Sequence, residues 1–246
     1  MDDKTNNLPN SQPNLTRRIA EHLGRAIVTG GYSLATPFPT EADLCLQHGA
    51  SRPVVREAVK MLTAKGLLRA RQRAGTAVEP EERWNLLDPE ILKWMLERQF
   101  SIDLLVDFTE VRMSIEPRAA GLAAHGASGP QRRRIAQATE RMFAAERGED
   151  DPLAADIAFH TAVLEASNNR FMRQFTDLSA AALRFSIRRT NAYAGVARAS
   201  AADHARVGEA IMKGEPQQAA ALMRELLQGA LDLLLEAGGH APRPLI

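Results

Sequence analysis

Beyond residue 85 the sequence never settles into the alternation of polar and apolar side chains that a strand requires. Apolar residues instead recur every three to four positions as far as Leu235. That periodicity is broken only at short polar or glycine- and proline-bearing stretches, GASGP, GEDDP, SNN and KGEP. The breaks divide the region into expected helices near 101–125, 130–147, 152–167, 170–192, 199–213 and 216–237. Asp88 and Pro89 start a shorter one carrying Ile91, Leu92, Trp94, Met95 and Leu96. Six or seven helices over this length can bury their apolar stripes only against one another. The expected fold is therefore mainly α, with an antiparallel helical bundle large enough to hold a pocket.

The first third reads differently. Residues 1–13 form a polar leader. Ile19, Leu23, Ala26 and Ile27 then mark one helix, stopped at Gly30-Gly31. Thr40 opens the run T-E-A-D, the pattern of a capping box, and a second helix extends to His48 before Gly49. Ser51 is placed to cap a third helix through Lys65, with Pro53 tolerated in its first turn. Strands follow at 67–71 and 76–78, joined by QRAG. Helix, helix, tight turn, helix and basic hairpin is the order of a winged helix-turn-helix. The expected organisation is a leader at 1–13, a winged helix-turn-helix at 14–80, a linker at 81–87, a helical effector and dimerisation domain at 88–238, and a tail at 239–246. Trp84 and Trp94 read as core or interdomain packing.

The formal net charge of +1 hides a split: residues 1–80 carry eleven Lys/Arg against seven Asp/Glu, and residues 81–246 carry 20 against 23. Between 51 and 76 seven basic residues face one acid, Glu57. Either this is a solvated basic face or it meets a polyanion. On the third helix Val55, Val59 and Leu62 form an apolar stripe, with Arg52, Arg56 and Lys60 in a separate row. Such a helix can bury one face and offer the other to a DNA groove. The single cysteine, Cys45, excludes an internal disulfide and a cysteine-ligated zinc site, and no stretch is apolar enough for a membrane span. A cytoplasmic protein without membrane contact is expected.

The run FPTEADLCLQHGASRPVVREAVKMLTAKGLL, closed by RARQRAGTAV, resembles the DNA-binding domain of the GntR superfamily over about 65 residues. The resemblance implies contacts to operator DNA from Arg52 and Arg56, supported by Ser51, Thr40, Lys60, Arg71 and Arg73, and a wing in which Gly75 lets backbone approach the minor groove. Ala42 stands where several relatives carry a DNA-contacting arginine, which leaves the preferred operator sequence open. The stretches EVRMSIEPRAAGLAA, DIAFHTAVLEASNN and DHARVGEAIMKGEPQQAAALM resemble the all-helical ligand domain of the FadR subfamily. RWNLLDPEILKWML and the EVR…EP run resemble, more narrowly, the branch governing D-galactonate catabolism. The resemblance implies a homodimeric regulator on a palindromic operator, released by a sugar acid. An activator, or a metal-free sensor of another small carboxylate, shares these features.

Asp156 and His160 lie four residues apart on one expected helix, and His204 lies on another. From spacing alone they are a surface pair, a buried hydrogen-bonded histidine or metal ligands. In metal-binding members of the subfamily one aspartate and three histidines hold a divalent ion. The first three match Asp156, His160 and His204, while the fourth falls on Leu226. The resemblance thus implies a three-ligand site for Zn²⁺ or a similar ion. A metal-dependent hydrolase is the enzymatic alternative, without an H-E-x-x-H motif to support it. Arg112 either pairs with an effector carboxylate or with Glu116 four residues on. Asn169 is an effector contact or a helix cap. Arg184, Arg188 and Arg189 take no assigned role.

Overall fold

The computed structural model describes residues 15–71, 75–98, 101–190 and 200–239. The chain divides into two compact units, Met1–Arg98 and Gln99–Ile246. The leader expected at 1–13, Arg73, and all but the first residue of the tail expected at 239–246 lie outside the described residues.

The first unit contains α1 (Leu15–Val28), α2 (Glu41–His48), α3 (Arg52–Ala64), a hairpin of β1 (Leu68–Arg71) and β2 (Gly75–Val78), and α4 (Pro89–Arg98). Helix α1 buries Ile19, Leu23 and Ile27 at helical spacing, and these meet Leu44 of α2 and Val55, Ala58 and Leu62 of α3. The start of α2 is fixed locally. The Thr40 hydroxyl accepts from the Asp43 amide, and the Asp43 carboxylate accepts from the Thr40 amide. Ser51 takes the N-cap backbone position of α3, but its side chain makes no capping bond, contrary to expectation. Pro53 in the first turn already removes one amide that would seek a partner. The hairpin is antiparallel, pairing Leu68 with Val78 and Arg71 with Gly75.

Helix α4 belongs to this unit, although the sequence reading placed it beyond a linker at 81–87 and inside the second domain. Ile91 and Trp94 complete the winged-helix core. Trp94 is 1% exposed and rests on a notch in α1 left by Gly24, where a Cβ would stand 2.4 Å from the indole ring. At the other end of α4, the Lys65 ammonium pairs with both Asp88 and Glu90. Burial opposes its charge, but the two carboxylates outweigh it and raise the lysine pKa. Gly66, at φ +78°, turns the chain between α3 and β1 where a Cβ would stand 2.4 Å from the Arg83 carbonyl.

The second unit holds, among its described residues, α5 (Ile102–Gly126), α6 (Gly129–Glu146), α7 (Pro152–Ala166), α8 (Phe175–Thr190), α9 (Ala201–Lys213) and α10 (Pro216–Ala237). Side chains of Ser101, Ser128, Asp151 and Ser200 accept from the first-turn amides of α5, α6, α7 and α9. These local devices put the ends close to the expected positions. The start of α8 is later than expected, because the Asn169 carboxamide accepts from the Phe171 and Met172 amides and leads into a 3-10 turn at Met172–Gln174. Helix α5 packs along α10, and α9 packs on α5, α6 and α10. Helix α7 contacts α5, α6 and α8, and is apolar nearly all round, as a helix enclosed by neighbours must be. The Arg132 guanidinium donates to carbonyls at the end of α5 (Ala124, Ala127) and near the end of α9 (Ile211, Met212), tying the two helix ends together.

Replacing Gly24 by valine forces a side chain into the Trp94 ring. It should lower stability of the first unit by about 1–3 kcal/mol, the usual cost of overpacking. Denaturant unfolding followed by tryptophan fluorescence measures the loss; an unchanged midpoint would mean that α4 is not held there.

Candidate functional site

The apolar character of α7 is interrupted on one line, where Asp156 and His160 lie one turn apart and both are buried. Helix α9 brings His204, also fully buried, to the same place. The Nε2 atom of His204 is 3.1 Å from Asp156 Oδ1 and 3.4 Å from His160 Nε2, and His160 Nε2 is 3.8 Å from that same oxygen. One ligand atom from each of the three residues lies within 4.8 Å of the others. Phe159 walls the cluster, its ring edge-on to both imidazoles at centroid distances of 5.6 and 4.9 Å.

The far nitrogens of the rings decide what the near ones present. Nδ1 of His204 is 2.9 Å from the Ser200 carbonyl, which can only accept, so this nitrogen carries the proton. Nδ1 of His160 is 2.6 Å from Glu116 Oε2. Burial alone would raise the Glu116 pKa, but the Arg112 guanidinium and the His160 imidazole reverse it and hold the carboxyl far below its ordinary value. An ionised carboxylate also only accepts. With neutral rings, both Nε2 atoms then turn lone pairs toward the Asp156 carboxylate. Burial works against its charge too; the imidazoles, where protonated, and Arg112 lower its pKa. Three acceptors thus converge without a donor among them. Counting Arg112 against Glu116 and Asp156, the buried group carries one net negative charge. A divalent cation or a proton is what such a donor set accommodates. Imidazole and carboxylate ligands with positions left open suit Zn²⁺ among other first-row divalent ions.

Arg112 is committed to Glu116: Nε donates to Oε1 at 2.7 Å and Nη2 to Oε2 at 3.3 Å, both side chains buried. The intrahelical salt bridge weighed against an effector contact is therefore formed. Sequence reasoning missed Glu116 as the partner of His160; the only local signal was an Arg/Glu pair at i, i+4 within an apolar run. Leu226 is half-buried and packs on the bundle core. The Asn169 side chain is occupied by its turn. Arg184 is exposed, and the side chains of Arg188 and Arg189 lie outside the described ones.

In the first unit Arg52, Arg56 and Lys60 are exposed along α3, while Val55, Ala58 and Leu62 are buried. Arg56 pairs with Glu41 of α2 at 3.1 Å and Lys60 with Glu57 at 3.2 Å, in each case at the surface. Such pairs are worth little and open readily to a stronger anion. The exposed Ser51 hydroxyl is not used for capping, whereas that of Thr40 is. Arg71 ends β1 exposed, opposite Gly75, whose φ of +78° suits glycine.

Comparison with known proteins matches residues 15–78 to bacterial regulatory proteins of the gntR family and residues 107–229 to the FCD domain. The galactonate operon transcriptional repressor of Escherichia coli strain K12 is 36% identical over 163 residues, which cover 66% of this chain and 71% of that protein. The chain belongs to the GntR family, with an FCD domain of the FadR type. The putative L-lactate dehydrogenase operon regulatory protein of the same strain is 29% identical over 213 residues, 82% of this chain and 79% of its own. A solved structure of Lar, which controls expression of the Listeria monocytogenes agr system, has a TM-score of 0.62 at 14% identity. It covers 92% of this chain and 99% of its own, and shares the fold. This GntR-family chain is thus a ligand-responsive transcriptional regulator, not an enzyme. No helix among the described residues is long and apolar enough to cross a membrane.

The lowered pKa values of Glu116 and Asp156 set a pH dependence. A carboxyl whose folded pKa is depressed stabilises the fold fully above its unfolded value, near 4 for both types, and loses that contribution as pH falls toward the folded value. With chelator present, the urea midpoint of the FCD unit should draw no change from these groups between pH 7 and 5 and should drop below about pH 4. A midpoint that holds steady through and below pH 4 would contradict the buried ion pairs.

Proposed function

We propose that this regulator represses a sugar-acid catabolic operon and is released by its effector, an aldonate of the galactonate type. The supporting observation is the buried, donor-free cluster of Asp156, His160 and His204 in the ligand domain of a family of regulators. These three residues would hold a divalent ion, Zn²⁺ being the best match to the ligands. The ion would supply a Lewis-acidic centre for carboxylate and hydroxyl oxygens. The two curated relatives described above are named for galactonate and L-lactate dehydrogenase operons. Galactonate and L-lactate share a hydroxyl beside the carboxylate, a pair of oxygens that suits such a centre. Arg112 adds a fixed positive charge on the same helix as Glu116. A homodimer in the cytoplasm presents two winged helices to a palindromic operator. In each, Arg52 and Arg56 reach base edges or phosphates, with Ser51, Lys60, Arg71, Arg73 and the backbone at Gly75 in support. Thr40 serves its helix cap and leaves contact to its exposed neighbours. Release requires the effector to bind one arrangement of the dimer more tightly than the other.

A second reading keeps the carboxylate effector and removes the metal. It is favoured by Leu226, which packs on the core at the fourth family position, and it places a proton between the acceptors. Thermal stability of the pure protein against a panel of aldonates, with and without chelator, separates the two. A ligand present at 100 times its dissociation constant adds ~2.7 kcal/mol. Stabilisation abolished by chelator supports the metal; stabilisation that survives it selects the metal-free reading. A panel in which no small carboxylate stabilises the protein or alters operator binding overturns the sensing half.

On DNA, Arg52→Ala or Arg56→Ala should cost about 1–3 kcal/mol with relaxed preference at one base pair where the lost contact reads a base. Loss of a phosphate contact weakens all sequences alike and flattens the salt dependence. Binding titrations at several salt concentrations distinguish these, and unchanged binding by both variants would misplace the reading helix.

A further inference from the structure

His160 has two ways to be satisfied. As the Nε2–H tautomer it would donate toward Asp156 or the His204 ring, and the cluster would close on itself as a hydrogen-bond network with no need of a cation. As the Nδ1–H tautomer it turns its lone pair inward and the cluster takes a cation or a proton. The choice is made outside the cluster, 2.6 Å from Nδ1, by Oε2 of Glu116 on α5.

We propose that Glu116 is a positioning residue of the divalent-cation site: it locks His160 in the Nδ1–H tautomer so that Nε2 serves as a ligand, and Arg112 moderates how much of its charge reaches the ring. This inference rests on the metal reading of Asp156, His160 and His204. The parallel at His204 sharpens it. There the same task is done by a neutral backbone carbonyl of Ser200. At His160 a full carboxylate does it, which strengthens the imidazole as a donor, and a site with three protein ligands has most to gain from that. The carboxylate is itself held by Arg112 through Nε on one oxygen and Nη2 on the other, so it cannot turn away from the ring without breaking a buried ion pair. Arg112, Glu116 and His160 therefore form one line of contacts running from α5 into the ligand cluster on α7 and α9.

Glu116 acting through His160 and Glu116 acting only as half of a structural ion pair predict different outcomes from two substitutions. Glu116→Gln removes the charge and admits a competing donor. Arg112→Met breaks the same ion pair while leaving the carboxylate on His160. Full-length protein is titrated with Zn²⁺ against a chromophoric chelator, and the visible spectrum of the Co²⁺ form is recorded. Glu116→Gln should bind Zn²⁺ about 10–100-fold more weakly than the parent and alter the Co²⁺ spectrum, and Arg112→Met should bind Zn²⁺ at least as tightly as the parent. A loss of under about five-fold in Glu116→Gln, or equal losses in both variants, overturns the proposal. Should Glu116→Gln fail to fold, the double variant Arg112→Met/Glu116→Gln removes both buried charges together and must show the same weak binding; affinity equal to the parent would overturn the proposal. A parent protein that takes up no Zn²⁺ or Co²⁺ refutes the metal reading itself, and the role of Glu116 falls with it.

Discussion

Polar atoms buried in the middle of an apolar bundle must be answered by other polar atoms, and that requirement governs the second unit. Asp156 and His160 occupy a helix whose other buried residues are alanine, phenylalanine, valine and leucine. Leaving either unpaired there would cost several times the worth of an ordinary hydrogen bond. Helix α5 answers with Glu116, itself neutralised by Arg112, and α9 answers with His204, its ring anchored on its own helix. Helical register follows from these contacts. One residue of slip displaces a side chain by 1.5 Å along the axis and about 100° around it, which no bond of 2.6–3.1 Å survives. Arg132 fixes the same helices from another direction by holding the carbonyl ends of α5 and α9. The apolar residues supply the bulk of the packing, and the polar line selects one packing among many.

The two units use charge in opposite ways. In the FCD unit the ion pair of Arg112 and Glu116 is buried and expensive to break. On the winged helix the pairs made by Arg56 and Lys60 are exposed and worth little. A regulator needs both. The buried pair holds its groups in one geometry, and the exposed pairs leave theirs free to exchange partners.

What the sequence made legible follows from the range of the interactions. The ends of α2, α6 and α7 were readable because Thr40 with Asp43, Ser128 with Gln131, and Asp151 with Leu153 settle them within three residues. The Asn169 turn is equally local, and one of its two weighed readings was a cap. The grouping of Asp156, His160 and His204 was legible only through family resemblance, since i, i+4 spacing of Asp156 and His160 does not bring in His204 from 44 residues away. Glu116 was visible as a neighbour of Arg112 and invisible as the partner of His160, also 44 residues distant. The allegiance of α4 was misjudged for the same reason. It rests on a missing Cβ at Gly24 that matters only once Trp94 lies over it, and nothing in either local pattern announces the other. Ser51 shows a subtler limit, because its backbone adopts the capping position while its side chain does not cap.

The docking of Trp94 over Gly24 also has a mechanical meaning. A helix of ten residues is about 15 Å long. Clamped to α1 by an indole ring and to the end of α3 by Lys65, α4 is less a tether than a crank fixed to its wheel. A shift of 1 Å at one end of a 15 Å lever is a turn of about 4°. Hydrogen bonds hold only within a few tenths of an ångström, so a turn of that size breaks the Lys65 pairs, and α4 keeps one placement on α3 or loses them.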